Sequence, residues 1–240
     1  MNAINTGWTK EDLERYITEP LHPDLEPWVV TDERSAGRKE NEVTLWEAIA
    51  EASKGRRDLL ETPPSILSTV YNRRRQFTDK FAWAIPTEEA ITAIKEHIDG
   101  RALLEVGAGL GLWARLLSDA GITVTATDLK QSPAHADFSM METYFPVERR
   151  GAVSAVRKYQ ECRALMLCWP PYDRPMAAKA LREFNGDRVV YVGEGAGGCT
   201  ANDAFHRRLE GEWVEVRSVS IPQWEGIHDR VELYKSGFLS

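Results

Sequence analysis

Three hydrophobic rhythms divide the chain. Between Thr87 and Gly100 the apolar residues Ala90, Ile91, Ile94 and Ile98 recur at helical spacing, which predicts an amphipathic helix with one buried stripe. Thr87 stands where an N-cap hydroxyl belongs, Glu88 and Glu89 suit the first turn, and Gly100 suits the stop. Short apolar or β-branched runs follow at Ala102–Val106, Thr123–Asp128, Ala164–Trp169 and Arg188–Val192. Runs of that length bounded by glycine or proline read as buried strands of a parallel sheet. Helical stretches at Leu112–Asp119, Ala152–Tyr159 and Met176–Phe184 separate them, with a poorer strand near Tyr144–Val147. The last rhythm is alternation. Trp213–Ile221 and Asp229–Tyr234 switch between apolar and polar, which predicts two half-buried strands paired as an antiparallel hairpin at the sheet edge.

Residues 1–80 carry no clear strand pattern. Thr9 and the acids after it predict a short helix capped by Thr9, and Pro20, Pro23 and Pro27 an extended connector. Leu45, Ile49 and Ala52 predict a helix over Thr44–Arg57, and Ser65–Tyr71 the start of another. The expectation is an all-helical extension, residues 1–80, that packs on or lids a domain formed by residues 81–240. The triplet Arg73-Arg74-Arg75 reads either as a solvated helix end or as an anion contact.

Composition removes several function classes. With 240 residues, 42% hydrophobic and 28% charged, the chain suits one sizeable α/β domain with an appendage. The net charge of −7 is spread along the chain, so no basic arm favours a tight nonspecific grip on a phosphate backbone. Cys162, Cys168 and Cys199 form no C-x-x-C pair and read as reduced thiols, while His135-Ala-Asp137 and His228-Asp229 read as surface pairs; no metal is expected. The first residues show no signal pattern, and the longest apolar run, Ala164–Trp169, is too short to span a bilayer. A soluble, cytoplasmic protein is expected, with no membrane partner.

Chemistry concentrates at Leu103–Trp113, where the Ala102–Val106 strand runs through Gly107, Gly109 and Gly111 into a helix, and at Asp128, which ends the next strand. Glycines at such a turn admit close approach of a ligand, the helix N-terminus offers free N–H groups, and an acid about 20 residues on can meet ribose hydroxyls. A plain tight turn would leave Glu105 and Asp128 unexplained. The spacing differs from the dinucleotide pattern G-x-G-x-x-G, since position 112 is leucine. Glu105, two residues before Gly107-Ala-Gly-Leu-Gly111, makes the stretch resemble motif I of the class I S-adenosylmethionine-dependent methyltransferases.

That resemblance implies a Rossmann-like, seven-stranded mixed sheet with a terminal antiparallel hairpin, and S-adenosylmethionine as cofactor. It implies that Glu105 orients the methionine end of the cofactor, that Gly107, Ala108, Gly109 and Gly111 pass beneath it, and that Asp128 holds the ribose. Leu129 and Cys168 join the implied cofactor contacts, and Glu148 and Arg149 fall nearest to an adenine site. It also makes Tyr71, Phe81 and Trp83 candidate pocket residues, against a simple hydrophobic staple, with Trp83 expected to touch substrate.

A second landmark, Trp169-Pro170-Pro171-Tyr172, ends the Ala164–Trp169 strand and resembles motif IV of amino-group methyltransferases. Trp169, Pro170 and Tyr172 are expected to meet substrate, with Tyr172 stacking on a planar group. The family's polar residue is replaced by Trp169, which donates a hydrogen bond but cannot accept one. A rigid turn after a core strand is the plainer reading. Downstream, Glu194 is the single charge in Gly193–Thr200, and with Asp173 and Tyr172 it is a candidate catalytic group. Thr200 and Asp203 resemble a capping box opening a helix to Leu209, and Trp224 is placed to reach the pocket mouth.

These readings converge on a methyltransferase, similar to a methyltransferase-like group with Trp-Pro-Pro-Tyr as motif IV, acting on nitrogen or oxygen of a small molecule. Two alternatives stay open: an amino methyltransferase acting on a nucleic-acid base, which the acidic balance and Trp169 disfavour, and a non-catalytic cofactor-binding partner subunit. A homodimer is compatible with either.

Overall fold

The computed structural model describes residues 5–9, 42–44, 74, 77–78, 81–129, 143–224 and 226–237. Strands β1 (Asn5–Thr9) and β2 (Glu42–Thr44) pair antiparallel as a separate two-stranded sheet. The expectation of an all-helical extension is therefore corrected at these residues, where Thr9 ends a strand; the short helix expected after it lies outside the described residues. The reason is pairing between segments far apart in sequence, which local propensity does not register. Arg74, Phe77 and Thr78 are helical, while Tyr71, Arg73 and Arg75, and the helices expected over Thr44–Arg57 (beyond Thr44) and Ser65–Tyr71, lie outside the described residues.

Helix α1 (Glu88–Ile98) starts where the Thr87 hydroxyl accepts the Ala90 N–H at 3.1 Å, and it stops at Asp99, whose φ of 53° is left-handed. Alternating with strands come β3 (Leu103–Val106), α2 (Leu112–Asp119), β4 (Val124–Asp128), β5 (Val147–Arg149), α3 (Ala152–Lys158), β6 (Ala164–Cys168), α4 (Met176–Glu183), β7 (Arg188–Gly193), α5 (Asp203–Glu212), β8 (Trp213–Ser220) and β9 (Arg230–Ser236). The weak strand falls at Val147–Arg149, three residues later than its apolar lead, because Tyr144 is instead packed against Phe81 in the core. Asn202, not Thr200, caps α5, its side chain accepting the Phe205 N–H at 3.1 Å.

Seven strands form one Rossmann-like mixed sheet in the order β5-β4-β3-β6-β7-β9-β8, parallel through β7, with β9 and β8 antiparallel to their neighbours. One face carries α1 and α2, whose Ile94, Ile98, Trp113 and Leu117 pack with Phe77, Phe81 and Trp224. The other carries α3, α4 and α5 through Val156, Leu181 and Phe205. Each large apolar side chain so buried contributes about 1.5–3 kcal/mol. Trp113 also satisfies its indole N–H on the Ala84 carbonyl at 3.2 Å, tying the Phe81–Pro86 approach to the sheet.

Two consequences of this topology place the site. Chain order reverses between β3 and β6, so a crevice opens at their carboxyl ends. Because β9 runs against β7, its first residue, Arg230, pairs with Gly193, the last residue of β7. The residues just before β9 therefore reach the same edge as the ends of the parallel strands.

Candidate functional site

The glycine loop is shaped by backbone that only glycine adopts readily. Gly107, Gly109 and Gly111 have φ of 81°, 55° and 78°. The N–H groups of Gly107 and Ala108 both donate to the Thr127 carbonyl at 2.8 and 3.1 Å, which pins the loop to the end of β4. Asp128 adds a second tie, its Oδ2 accepting the Gly109 N–H at 3.0 Å. A Cβ built on Gly109 would meet nothing within 4 Å, so that face of the loop opens onto space, whereas one on Gly111 would strike Phe145 and Val147 at 3.0 and 3.1 Å. Gly109 therefore serves the open side and Gly111 the packing.

Glu105 sits under this loop, 1% exposed. Its carboxyl takes a backbone N–H from Ala114, yet Oε2 has no hydrogen-bond partner. Burial, and then the charge of Asp128, push its pKa up to about 8. A buried, half-satisfied acid is costly unless something with N–H groups meets it. Leu129 is exposed beyond the end of β4. Glu148 is tied down by Arg150, Lys158 and the Tyr159 hydroxyl, so its carboxylate is already spent on α3 and its flank.

Across the crevice, β6 ends in half-buried Cys168 and then Trp169, whose φ of 49° is unusual for a non-glycine residue. The Trp169 N–H donates to the Val192 carbonyl at 2.8 Å, and its ring stacks on Trp83 with centroids 5.5 Å apart. Arg74 lies against both rings, its guanidinium carbon 4.8 Å from the Trp169 centroid and 5.3 Å from that of Trp83. The indole N–H of Trp169 donates to Asp229 Oδ2 at 2.9 Å. Cys168 feels both Glu105 and Asp229 and, with burial as the main cause, its thiol is held well above its ordinary pKa. Trp83 and Tyr172, 45% and 62% exposed, offer aromatic surface to solvent.

Other expected groups are differently employed. Glu194 is buried with both oxygens taken, Oε2 by the Cys199 N–H at 2.7 Å and Oε1 by the His228 N–H at 2.8 Å. Although burial opposes it, these hydrogen bonds and His228 hold its pKa below the ordinary value. Glu194 thus clamps two loops together and is a weak base. Asp173 is exposed on the turn. Pro170 is buried, and its carbonyl accepts the Ala201 N–H at 2.7 Å. Thr200, expected as a cap, is buried against Tyr191 and Glu194. Trp224 packs on Phe77 at 5.6 Å within the core, and Phe81 does likewise at 4.8 Å. The structure brings Glu105, the glycine loop, Asp128, Cys168, Trp83 and Trp169 to one edge, and it adds Asp229 and Arg74.

No family model matches the chain, and no curated protein matches it. Solved structures resemble it in fold. The 1,6-didemethyltoxoflavin-N1-methyltransferase of Burkholderia thailandensis is 16% identical over 91% of this chain and 99% of that one, at a TM-score of 0.46. Magnesium protoporphyrin IX methyltransferase of Synechocystis is 9% identical over 77% and 96%, at 0.44. A protein in the NADB-Rossmann superfamily from Streptococcus agalactiae is 14% identical over 66% and 72%, at 0.43. At these identities and scores the likeness carries no functional inference.

In the sequence Asp229 belongs to a His228-Asp229 pair that reads as surface and opens the Asp229–Tyr234 alternation, whereas the structure buries it. The usable signal was its place immediately before a strand that must run antiparallel to the rest. Among the described residues, no group of three or more histidine, cysteine or acidic side chains is placed to hold a metal, and no helix is long and apolar enough to cross a membrane.

Proposed function

We propose that the chain is an S-adenosylmethionine-dependent methyltransferase acting on nitrogen or oxygen of a small molecule. The observation that carries this reading is Glu105, a buried carboxyl with one unsatisfied oxygen, lying beneath a glycine loop whose Gly109 faces open space. That is an acceptor suited to the ammonium of an amino-acid end, and Asp128, tied to the Gly109 N–H, supports the reading as a second carboxylate suited to ribose hydroxyls. Ala108 and Cys168 would flank the bound group, and Leu129 would border its far end.

When bound, S-adenosylmethionine supplies a methyl group activated by its sulfonium. The chain's own task is then positioning. Glu105 and Asp128 fix the two ends, the left-handed Trp169 holds an indole wall beside Cys168, and the aromatic surfaces of Trp83 and Tyr172 exclude water on the acceptor side. Good alignment of two bound reactants is worth about 7–11 kcal/mol of barrier.

The test is calorimetric titration with S-adenosylmethionine, with NAD as control. Micromolar binding of the former alone is expected. Gly109→Val should abolish it, because the added side chain enters open space; the φ of 55° strains a β-branched residue, so the variant should melt lower than the parent but still cooperatively. Retained affinity in that variant, or binding of NAD instead, would overturn the assignment.

A further inference from the structure

Asp229 is a buried acid with one carboxylate oxygen unused. It is 1% exposed and lies in the connection between β8 and β9. Its Oδ2 is occupied by the Trp169 indole, while Oδ1 has no hydrogen-bond partner. An unsatisfied carboxylate oxygen in that setting costs free energy that an incoming N–H donor would recover. Burial pushes its pKa up to about 6, with the Trp169 N–H and the charge of Arg74 acting against burial, so it is largely ionised at neutral pH.

Its surroundings narrow the ligand. Trp169 and Trp83 stack with an interplanar angle of 24°, and both rings touch a guanidinium, that of Arg74, at cation–π distance. The charge of the same guanidinium acts on Asp229. A carboxylate acceptor, two indole faces and a planar cation therefore meet at the edge where Trp169 follows β6. The Trp169 side chain donates but cannot accept, and the acceptor beside it is Asp229, 60 residues further along the chain.

We propose that Asp229, Trp169 and Trp83 form the recognition site for the methyl acceptor, that this acceptor presents a planar group rich in N–H donors, of the amidine, guanidine or amino-heteroaromatic class, and that Arg74 occupies the site in its absence. Asp229 receives the N–H groups, the indoles receive the flat face, and Trp169 orients the carboxylate through its own N–H. The word acceptor rests on the methyltransferase reading; the binding site itself does not.

The test uses benzamidine, a planar N–H cation, titrated into the full chain and followed by tryptophan fluorescence and calorimetry, with S-adenosylmethionine titrated separately into the same samples. Saturable binding is expected, weakened at least tenfold in Asp229→Asn and tightened in Arg74→Ala. The second variant guards against misfolding of the first, since a merely structural arginine would not improve affinity when removed. Absence of benzamidine binding in both the parent and Arg74→Ala, or equal affinity in Asp229→Asn, overturns the proposal. Cyclohexylamine, a cation without a plane, binding as well as benzamidine would also overturn it. Benzamidine failing while S-adenosylmethionine binds sinks this site alone, and the reverse pattern sinks the methyltransferase reading alone.

Discussion

Lowering the pH from 8 to 6 should weaken S-adenosylmethionine binding about 50-fold through one residue, Glu105, which is already half protonated at pH 8. Its carboxyl is buried, and desolvation followed by repulsion from Asp128 raises its pKa to about 8. Pairing with an ammonium requires the ionised form. At pH 7, one unit below that value, ionising the group costs about 1.4 kcal/mol, a tenfold loss of affinity, and at pH 6 the cost doubles. On the alkaline side the ligand's own α-amino group, with an ordinary pKa of about 7.7–8.0, begins to lose its proton. Affinity should therefore peak near pH 8 and fall on both sides, the acid limb belonging to the protein and the alkaline limb to the ligand.

Calorimetry from pH 6 to 9, repeated in two buffers of different ionisation heat, separates these limbs. Near pH 7 most of one proton should be released on binding, because Glu105 is mainly protonated before the ligand arrives and ionised afterwards. Glu105→Gln keeps the shape and can keep the bond to the Ala114 N–H, yet it cannot ionise. It should bind more weakly at pH 8 and show no acid limb below it, with the alkaline limb intact. A dissociation constant that stays flat between pH 6 and 8 in the parent would refute the reasoning. So would an acid limb that survives in Glu105→Gln.

The same residue should show in stability. Because the folded pKa of Glu105, about 8, lies above its ordinary value of 4.5, the penalty is absent below pH 4.5, grows through the window and is full above pH 8. Glu105→Gln should accordingly melt higher than the parent at pH 8, by a difference on the order of a few kcal/mol, with the gap closing by pH 5 in calorimetric scans. Glu194 has the opposite sign: its pKa is held down, so its contribution is present above the ordinary carboxylate range and lost as the pH falls. Glu194→Gln should cost about 1–3 kcal/mol in urea unfolding at pH 7 and less in acid, since one of the two loop N–H groups loses its charged acceptor. Gly111→Ala should destabilise by about 1–3 kcal/mol, its methyl pressing on Phe145 and Val147 from a φ of 78°; an unchanged melting temperature would refute that account.

Elements defined by their own residues were legible from them. The α2 helix runs Leu112–Asp119 as its spacing predicts, and Thr87 caps α1, because both depend on contacts three or four residues apart. The glycine-loop half of the candidate site is legible for a related reason: Glu105, the glycines and Asp128 lie within one βαβ unit, so spacing fixes their relative places. The other half is built across the sheet. Asp229 reaches Trp169 only because β9 inserts antiparallel between β7 and β8, and Arg74 reaches the same indole from before α1. Neither juxtaposition has a local signature. The pairing of β1 with β2 has no local signature either, and Glu194, the sole charge in its loop, is consumed by the Cys199 and His228 N–H groups.

One local anomaly did point across the gap. Trp169 stands where an amine-binding turn needs an acceptor, and a side chain that only donates must have an acceptor of its own once half-buried. The alternation of Trp213–Ile221 and Asp229–Tyr234 already required an antiparallel end to the sheet. An acid at the start of such a strand arrives at the carboxyl ends of its parallel neighbours, as the pairing of Arg230 with Gly193 bears out. Taken together, the donor without an acceptor and the acid at the reversed strand lead to the Trp169–Asp229 hydrogen bond.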